Sequence, residues 1–121
     1  MVRLMKEKEQ LNVVSDQQGC PTYAADLAAA IMQIISSGKA AENAGIYNYS
    51  NSGIIDWWLF AVAIKELSGS KCIVHPIPSS NYPTPAKRPA YSVMDTSKIQ
   101  KTFAVNIPFW KDSLQKCFLR L

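Results

Sequence analysis

Glycine is scarce in this sequence, and its five residues, at positions 19, 38, 45, 53 and 69, are all isolated. The phosphate-binding motifs GxGxxG and GxxxxGK[ST] are therefore absent, because both need clustered glycines for close backbone approach to a phosphate. No tyrosine is followed four residues later by a lysine, so a Tyr-x-x-x-Lys proton-transfer pair is also missing. We predict that this chain contains no catalytic residue and no cofactor-binding residue.

Histidine and cysteine are equally sparse. The one histidine, His75, falls in a predicted strand, and the three cysteines, Cys20, Cys72 and Cys117, form no CxxC pair. This pattern predicts neither a metal site nor a disulfide framework, and it favours the reducing cytoplasm.

Long apolar runs are missing as well. The best candidate, residues 57–64, is too short to span a bilayer. The start, MVRLMKEKEQ, becomes charged where a signal peptide would become apolar. We expect no membrane partner.

Positive charge is concentrated in the last third of the chain. Residues 1–86 contain six Lys/Arg and seven Asp/Glu, whereas residues 87–121 contain seven Lys/Arg and two Asp/Glu. This asymmetry suggests an anionic partner, and a solvated basic face is the ordinary alternative. A nucleic-acid-binding module is a further alternative, but the basic residues lack interleaved aromatics, so we expect no nucleic acid.

Hydrophobic patterning predicts alternating helices and strands. The predicted helices cover residues 1–10, 21–38, 57–69, 96–103 and 108–121, and the predicted strands cover residues 11–14, 45–50 and 71–77. Asp56 and Asp95 are predicted helix caps, and Ile31, Ile34 and Ile35 a predicted apolar helix face. Strand 45–50, its following helix and strand 71–77 read as a parallel βαβ unit.

The stretch YPTPAKRPAYS, residues 82–92, places a basic pair between prolines. Proline fixes its own φ angle, so such a loop can hold Arg88 rigidly toward an anionic ligand. A disordered linker is one alternative. Pairing of Arg88 with an acidic side chain such as Asp95 is another.

Three stretches together resemble one family: VVSDQQGCPTYAADLAAAI, GIYNYSNSGIIDWWLFAVAI and NYPTPAKRPAYSVMDTSKI followed by IPFWKDSLQKC. They resemble the C-terminal part of dTDP-4-dehydrorhamnose reductases, which are extended short-chain dehydrogenase/reductases. The resemblance implies an α/β fold: one small substrate-binding domain over residues 1–121, with four or five helices, a few short, partly parallel strands and a ligand loop at 78–92. The Rossmann half would be absent, as in a piece of a longer protein or a frame that starts at an internal methionine.

The resemblance also implies a reaction. The complete enzyme would use NADPH to reduce the 4-keto group of dTDP-6-deoxy-L-lyxo-4-hexulose, giving dTDP-L-rhamnose, and the family leaves a role for Mg²⁺ open. This chain alone would be inactive, with a dTDP-sugar nucleotide and the missing Rossmann domain as partners. Apolar surface left uncovered by that domain would favour self-association. The alternative is a non-catalytic, reductase-like regulatory or scaffolding subunit.

Six residues are candidate substrate contacts by this resemblance. Arg88 would bind the diphosphate, and Tyr82 would stack on the thymine or the sugar unless it only packs. Thr22 is either a ligand contact or a helix cap. The remaining candidates are Gln17, Tyr91 and Ser92. Three aromatic residues, Trp57, Phe60 and Trp110, are predicted to be core.

Overall fold

The computed structural model describes residues 1–121 as a small α/β structure with short, partly parallel strands, as predicted. The five helices are α1 (Val2–Glu7), α2 (Ala24–Ser36), α3 (Trp57–Ser68), α4 (Ser97–Phe103) and α5 (Trp110–Phe118). The strands are β1 (Gln10–Val14), β2 (Gln18–Gly19), β3 (Ile55–Asp56) and β4 (Ile73–Ile77), and a 3-10 turn covers Ser79–Asn81. No helix combines the length and the apolar character needed to cross a membrane.

The chain divides into two compact units. The first unit contains residues 1–19 and 54–93, and the second contains residues 20–53 and 94–121. Each unit is therefore built from two separate stretches of sequence. The single domain over residues 1–121 stays a prediction.

The parallel sheet of the first unit joins β1 to β4, in register from Gln10 opposite Ile73 to Val14 opposite Ile77. Both strands were predicted, but the predicted parallel partner of β4, residues 45–50, was wrong, since that segment forms no strand. Its alternation has another cause, because Tyr47 and Tyr49 pack against the core of the second unit. The sheet has only two strands, so Pro76 lies on an edge strand, where its missing N–H is tolerated.

Helix α3 begins and ends where its capping residues predict. The Asp56 side chain accepts a hydrogen bond from the Leu59 backbone N–H at 2.7 Å, and Gly69 ends the helix in the left-handed region with φ of 62°. The indole N–H of Trp58 donates to the carbonyl of Val74 at 3.1 Å. Helix α3 is thereby attached to β4.

The second unit packs around Ala30, Ile99, Phe103 and Val105. The predicted apolar face of α2 was wrong in part, because Ile31 is 48% exposed and Ile35 is 61% exposed. Ile34 does pack against the core, as predicted, and Ala30 is one of the core residues. The small side chain of Ala30 lets helix α2 approach the core closely, and Ile34, four residues later, lies on the same face of the helix.

Candidate functional site

The first unit contains a cavity of about 870 Å³, a volume typical of small-molecule sites. Its lining combines apolar and polar side chains. The lining residues are Met1, Leu4, Leu11, Asn12, Val13, Val14, Asp16, Gln17, Trp57, Ser79, Ser80, Tyr82, Pro83, Thr84, Pro85, Lys87, Arg88 and Ala90. The cavity therefore lies between two parts of the chain. One part is strand β1 with the residues that follow it, and the other is the proline-rich loop, residues 78–92.

Asp16 holds the beginning of that loop. Its two carboxylate oxygens accept the backbone N–H of Ser79 at 3.0 and 2.9 Å, and the Ser79 hydroxyl donates to Oδ2 at 2.9 Å. The backbone hydrogen bond from Ser79, helped by its hydroxyl, holds the pKa of Asp16 below the usual value. Asp16 is therefore a carboxylate at neutral pH.

Gln18 holds the end of the loop through its backbone. Its N–H donates to the carbonyl of Ala90 at 2.8 Å, and its carbonyl accepts the Ser92 N–H at 2.9 Å and the Ser92 hydroxyl at 3.0 Å. Gly19 lies so close to Ser92 that a Cβ at this position would stand 2.9 Å from the serine Oγ. Residues 16 and 18 thus fix both ends of the loop, and Gln17 lines the cavity between them.

The middle of the loop carries the positive charge. Residues 81–92 are exposed, and the side-chain hydrogen bond within them runs from the Thr84 hydroxyl to the Ala86 carbonyl at 2.7 Å. Pro83, Pro85 and Pro89 restrict the backbone and so lower the entropy that ligand binding would remove. Arg88 forms no ion pair in the structure. The alternative prediction, that Arg88 pairs with an acidic side chain such as Asp95, is therefore not supported.

Three of the six candidate residues, Gln17, Tyr82 and Arg88, line this one cavity. Tyr91 forms a β-bridge with Gln18 at the end of the loop and is 58% exposed. The Ser92 hydroxyl donates to the Gln18 carbonyl and so helps to fix the loop. Thr22 belongs to the second unit. Its hydroxyl donates to the Cys20 carbonyl at 3.3 Å and caps no helix, since α2 has Tyr23 at its N-cap position.

The prediction of a core position for Trp57 was wrong, because this residue is 48% exposed and lines the cavity. Trp57 is the first residue of α3, and the buried residues of that helix begin at Ala61. Trp110 is a core residue with 8% exposure, as predicted, and Phe60 is half-buried.

Sequence reasoning missed Asp16 and Ser79. A signal for Asp16 existed, because it follows the carboxyl end of a predicted strand, where ligands of α/β sheets bind. Ser79 carries no such signal.

Two structural features would indicate a metal site or a dinucleotide site. No group of three or more His, Cys, Asp or Glu side chains could hold a metal ion, so the structure does not support a Mg²⁺ site here. The cavity lining includes no glycine, and no helix follows a glycine-rich turn of the kind that binds a dinucleotide. These residues do not fit NADPH, and none is assigned to it.

Comparison with known proteins places the chain in a family. The family model for the RmlD substrate binding domain matches residues 1–121. The dTDP-4-dehydrorhamnose reductase of Sinorhizobium fredii is 39% identical over 123 residues, which cover 96% of this chain and 42% of that protein. The spore coat polysaccharide biosynthesis protein SpsK of Bacillus subtilis is 38% identical over 116 residues, covering 96% of this chain and 39% of that protein.

Solved structures agree with this assignment. The dTDP-4-dehydrorhamnose reductase of Bacillus anthracis, crystallised with NADP, superimposes with a TM-score of 0.90 at 32% identity, covering 99% of this chain and 41% of that one. The Clostridium acetobutylicum enzyme gives 0.89 at 34% identity, covering 99% and 42%. The chain spans about two fifths of the length of these relatives and matches their C-terminal part. It belongs to the RmlD substrate-binding domain family of dTDP-4-dehydrorhamnose reductases.

Proposed function

We propose that the cavity of the first unit binds the dTDP-sugar substrate of an NADPH-dependent reductase. The reductase would convert the 4-keto group of dTDP-6-deoxy-L-lyxo-4-hexulose to the hydroxyl of dTDP-L-rhamnose. The observation that carries this proposal is the cavity itself, in which a proline-framed Lys87–Arg88 pair meets Gln17 and Tyr82 in a chain of this family. Hydride and proton transfer would depend on residues outside this chain, which should be inactive alone.

Each part of the cavity suits one part of such a ligand. The planar guanidinium of Arg88 can bind two phosphate oxygens at once, and Lys87 adds a second positive charge. Tyr82 or Trp57 can stack on a pyrimidine ring, since both are exposed aromatic side chains on the lining. The amide of Gln17 can donate to and accept from sugar hydroxyls.

The remaining candidates have weaker support. Ser92 and Tyr91 act here by fixing or flanking the loop rather than by lining the cavity. A ligand contact by Thr22 rests on the family resemblance alone. Self-association is supported by exposed large apolar residues, which include Ile31, Met32 and Ile35 on α2. The cytoplasm remains the proposed compartment because all three cysteines are free thiols.

Isothermal titration with dTDP tests the proposal. We expect Arg88→Ala to weaken dTDP binding by about tenfold or more, because hydrogen bonds to a charged group are each worth about 1.5–3 kcal/mol. Arg88→Lys should retain part of the affinity, since it keeps the charge but loses bidentate geometry. Arg120→Ala is the matched control, because Arg120 is an exposed arginine of the second unit. Failure of the folded wild-type chain to bind dTDP would refute the proposal.

A further inference from the structure

Asp16 is the only acidic side chain on the cavity lining, where it faces the same space as the cations Lys87 and Arg88. It forms no ion pair with either of them. The cavity lining therefore carries charges of both signs, with two positive side chains on the loop and one negative side chain just after strand β1.

The Asp16 carboxylate retains accepting capacity beyond its structural role. The Ser79 N–H is shared between its two oxygens, and the Ser79 hydroxyl reaches only Oδ2. An ionised carboxylate offers about four lone-pair sites, so at least one remains for a ligand. Because Asp16 is exposed and held in place by Ser79, it presents a fixed acceptor to the cavity.

We propose that Asp16 is a specificity-determining residue that selects nucleotide sugars with neutral, hydroxyl-bearing rings and disfavours nucleotide sugars with an acidic ring. The proposal rests on the proposed function, since it takes the ligand to be a dTDP-sugar whose diphosphate lies at Lys87 and Arg88. The sugar is placed toward Asp16 because Gln17, the proposed sugar contact, is the next residue of the lining, and Asp16 accepts a hydrogen bond from a sugar hydroxyl. A sugar carboxylate there would meet a like charge, and like charges across a binding surface are strongly disfavoured.

The test is isothermal titration of the chain with dTDP, dTDP-glucose and dTDP-glucuronic acid. We expect the wild-type chain to bind dTDP-glucose about tenfold more tightly than dTDP-glucuronic acid, as a single like-charge contact in a hydrated cavity predicts. Asp16→Asn keeps an oxygen for the Ser79 N–H but removes the charge, and it should reduce that preference to about threefold or less. The preference is the ratio of the two sugar-nucleotide affinities within one variant, so a change in affinity for the shared dTDP part does not alter it.

Two further variants separate specificity from loop anchoring. Ser79→Ala removes the hydroxyl bond to Asp16 and leaves the carboxylate, so it should keep the preference for the neutral sugar. Asp16→Glu keeps the charge and should also keep the preference, which provides a second measurement if Asp16→Asn folds poorly.

The outcomes separate this inference from the proposed function. No dTDP binding by the wild-type chain would overturn the proposed function and, with it, this inference. Normal dTDP binding with an unchanged sugar preference in Asp16→Asn would overturn the inference alone. Weaker dTDP binding by Asp16→Asn with the wild-type sugar preference would also overturn it, because Asp16 would then act only as a loop anchor.

Discussion

The second unit is held together by a buried polar network centred on Asn51, which is 1% exposed. The Asn51 amide oxygen accepts the Tyr23 N–H at 2.8 Å. Its Nδ2 lies 2.7 Å from Asp26 Oδ2, 2.9 Å from Ser113 Oγ and 3.2 Å from the Pro108 carbonyl. The network ties α2 to α5, so replacing Asn51 should destabilise this unit strongly.

The size of that effect follows from what Asn51→Ala removes. An amide carries two N–H donors, so its three acceptors share two hydrogen bonds, and the accepted bond makes three. The bond to the charged Asp26 is worth about 1.5–3 kcal/mol and the two others about 0.5–1.5 kcal/mol each. We expect Asn51→Ala to lower the free energy of unfolding by about 4 kcal/mol, a large part of the 5–15 kcal/mol that is typical of a domain.

Urea denaturation followed by circular dichroism measures this change. Asn48→Ala is the matched control, because Asn48 is exposed and makes a single hydrogen bond of 3.5 Å to the Asp95 carbonyl. Its loss should cost no more than about 0.5 kcal/mol. Ser113→Ala combined with Asn51→Ala should cost less than the sum of the single changes, because the two side chains share bonds. A loss below about 1 kcal/mol for Asn51→Ala would refute the reasoning.

Three other predictions can be checked separately. Burial, and to a smaller extent the charge of Asp26, raises the pKa of Tyr49 above 10.0, and the buried Tyr49 hydroxyl has no hydrogen-bond partner. Tyr49→Phe should therefore leave the free energy of unfolding unchanged or raise it. A loss above about 1 kcal/mol would contradict this. The lowered pKa of Asp16 means that its stabilising contribution is present above the unfolded value near 3.8 and is lost as pH falls through the folded value; NMR should find a titration midpoint below 3.8 that rises in Ser79→Ala. Sedimentation over a range of concentrations should show association of the 13.4 kDa chain, and a strict monomer would exclude it.

Local chemistry made parts of the fold predictable from sequence. The limits of α3 follow from Asp56 and Gly69, because a side-chain cap and a left-handed glycine act on their own neighbours. The partner of β4 was not predictable in this way, because β1 and β4 lie about sixty residues apart in the chain. The alternation of apolar and polar residues over 45–50 predicted a strand that would pair with β4, and this was wrong. Tyr47 and Tyr49 produce the same alternation by packing against a helical core.

The candidate site was also predictable only in part. Family motifs pointed to Gln17, Tyr82 and Arg88, which line one cavity. The bond between Asp16 and Ser79 joins residues 63 positions apart, and no motif spacing predicts it. Trp57 lines the cavity because it is the first residue of α3. A helix end can expose an aromatic residue that composition alone assigns to the core.

Asp16 and Gln18 anchor the same loop by different means, and this difference can be measured. Asp16 acts through its side chain, whereas Gln18 acts through its backbone N–H and carbonyl, which any residue other than proline retains. Asp16→Ala should therefore speed hydrogen exchange at the Ser79 amide by about tenfold or more, whereas Gln18→Ala should leave exchange at Ser79 and Ser92 nearly unchanged. Faster exchange at Ser92 in Gln18→Ala would mean that the glutamine side chain also supports the loop. Unchanged exchange at Ser79 in Asp16→Ala would mean that the carboxylate does not hold it.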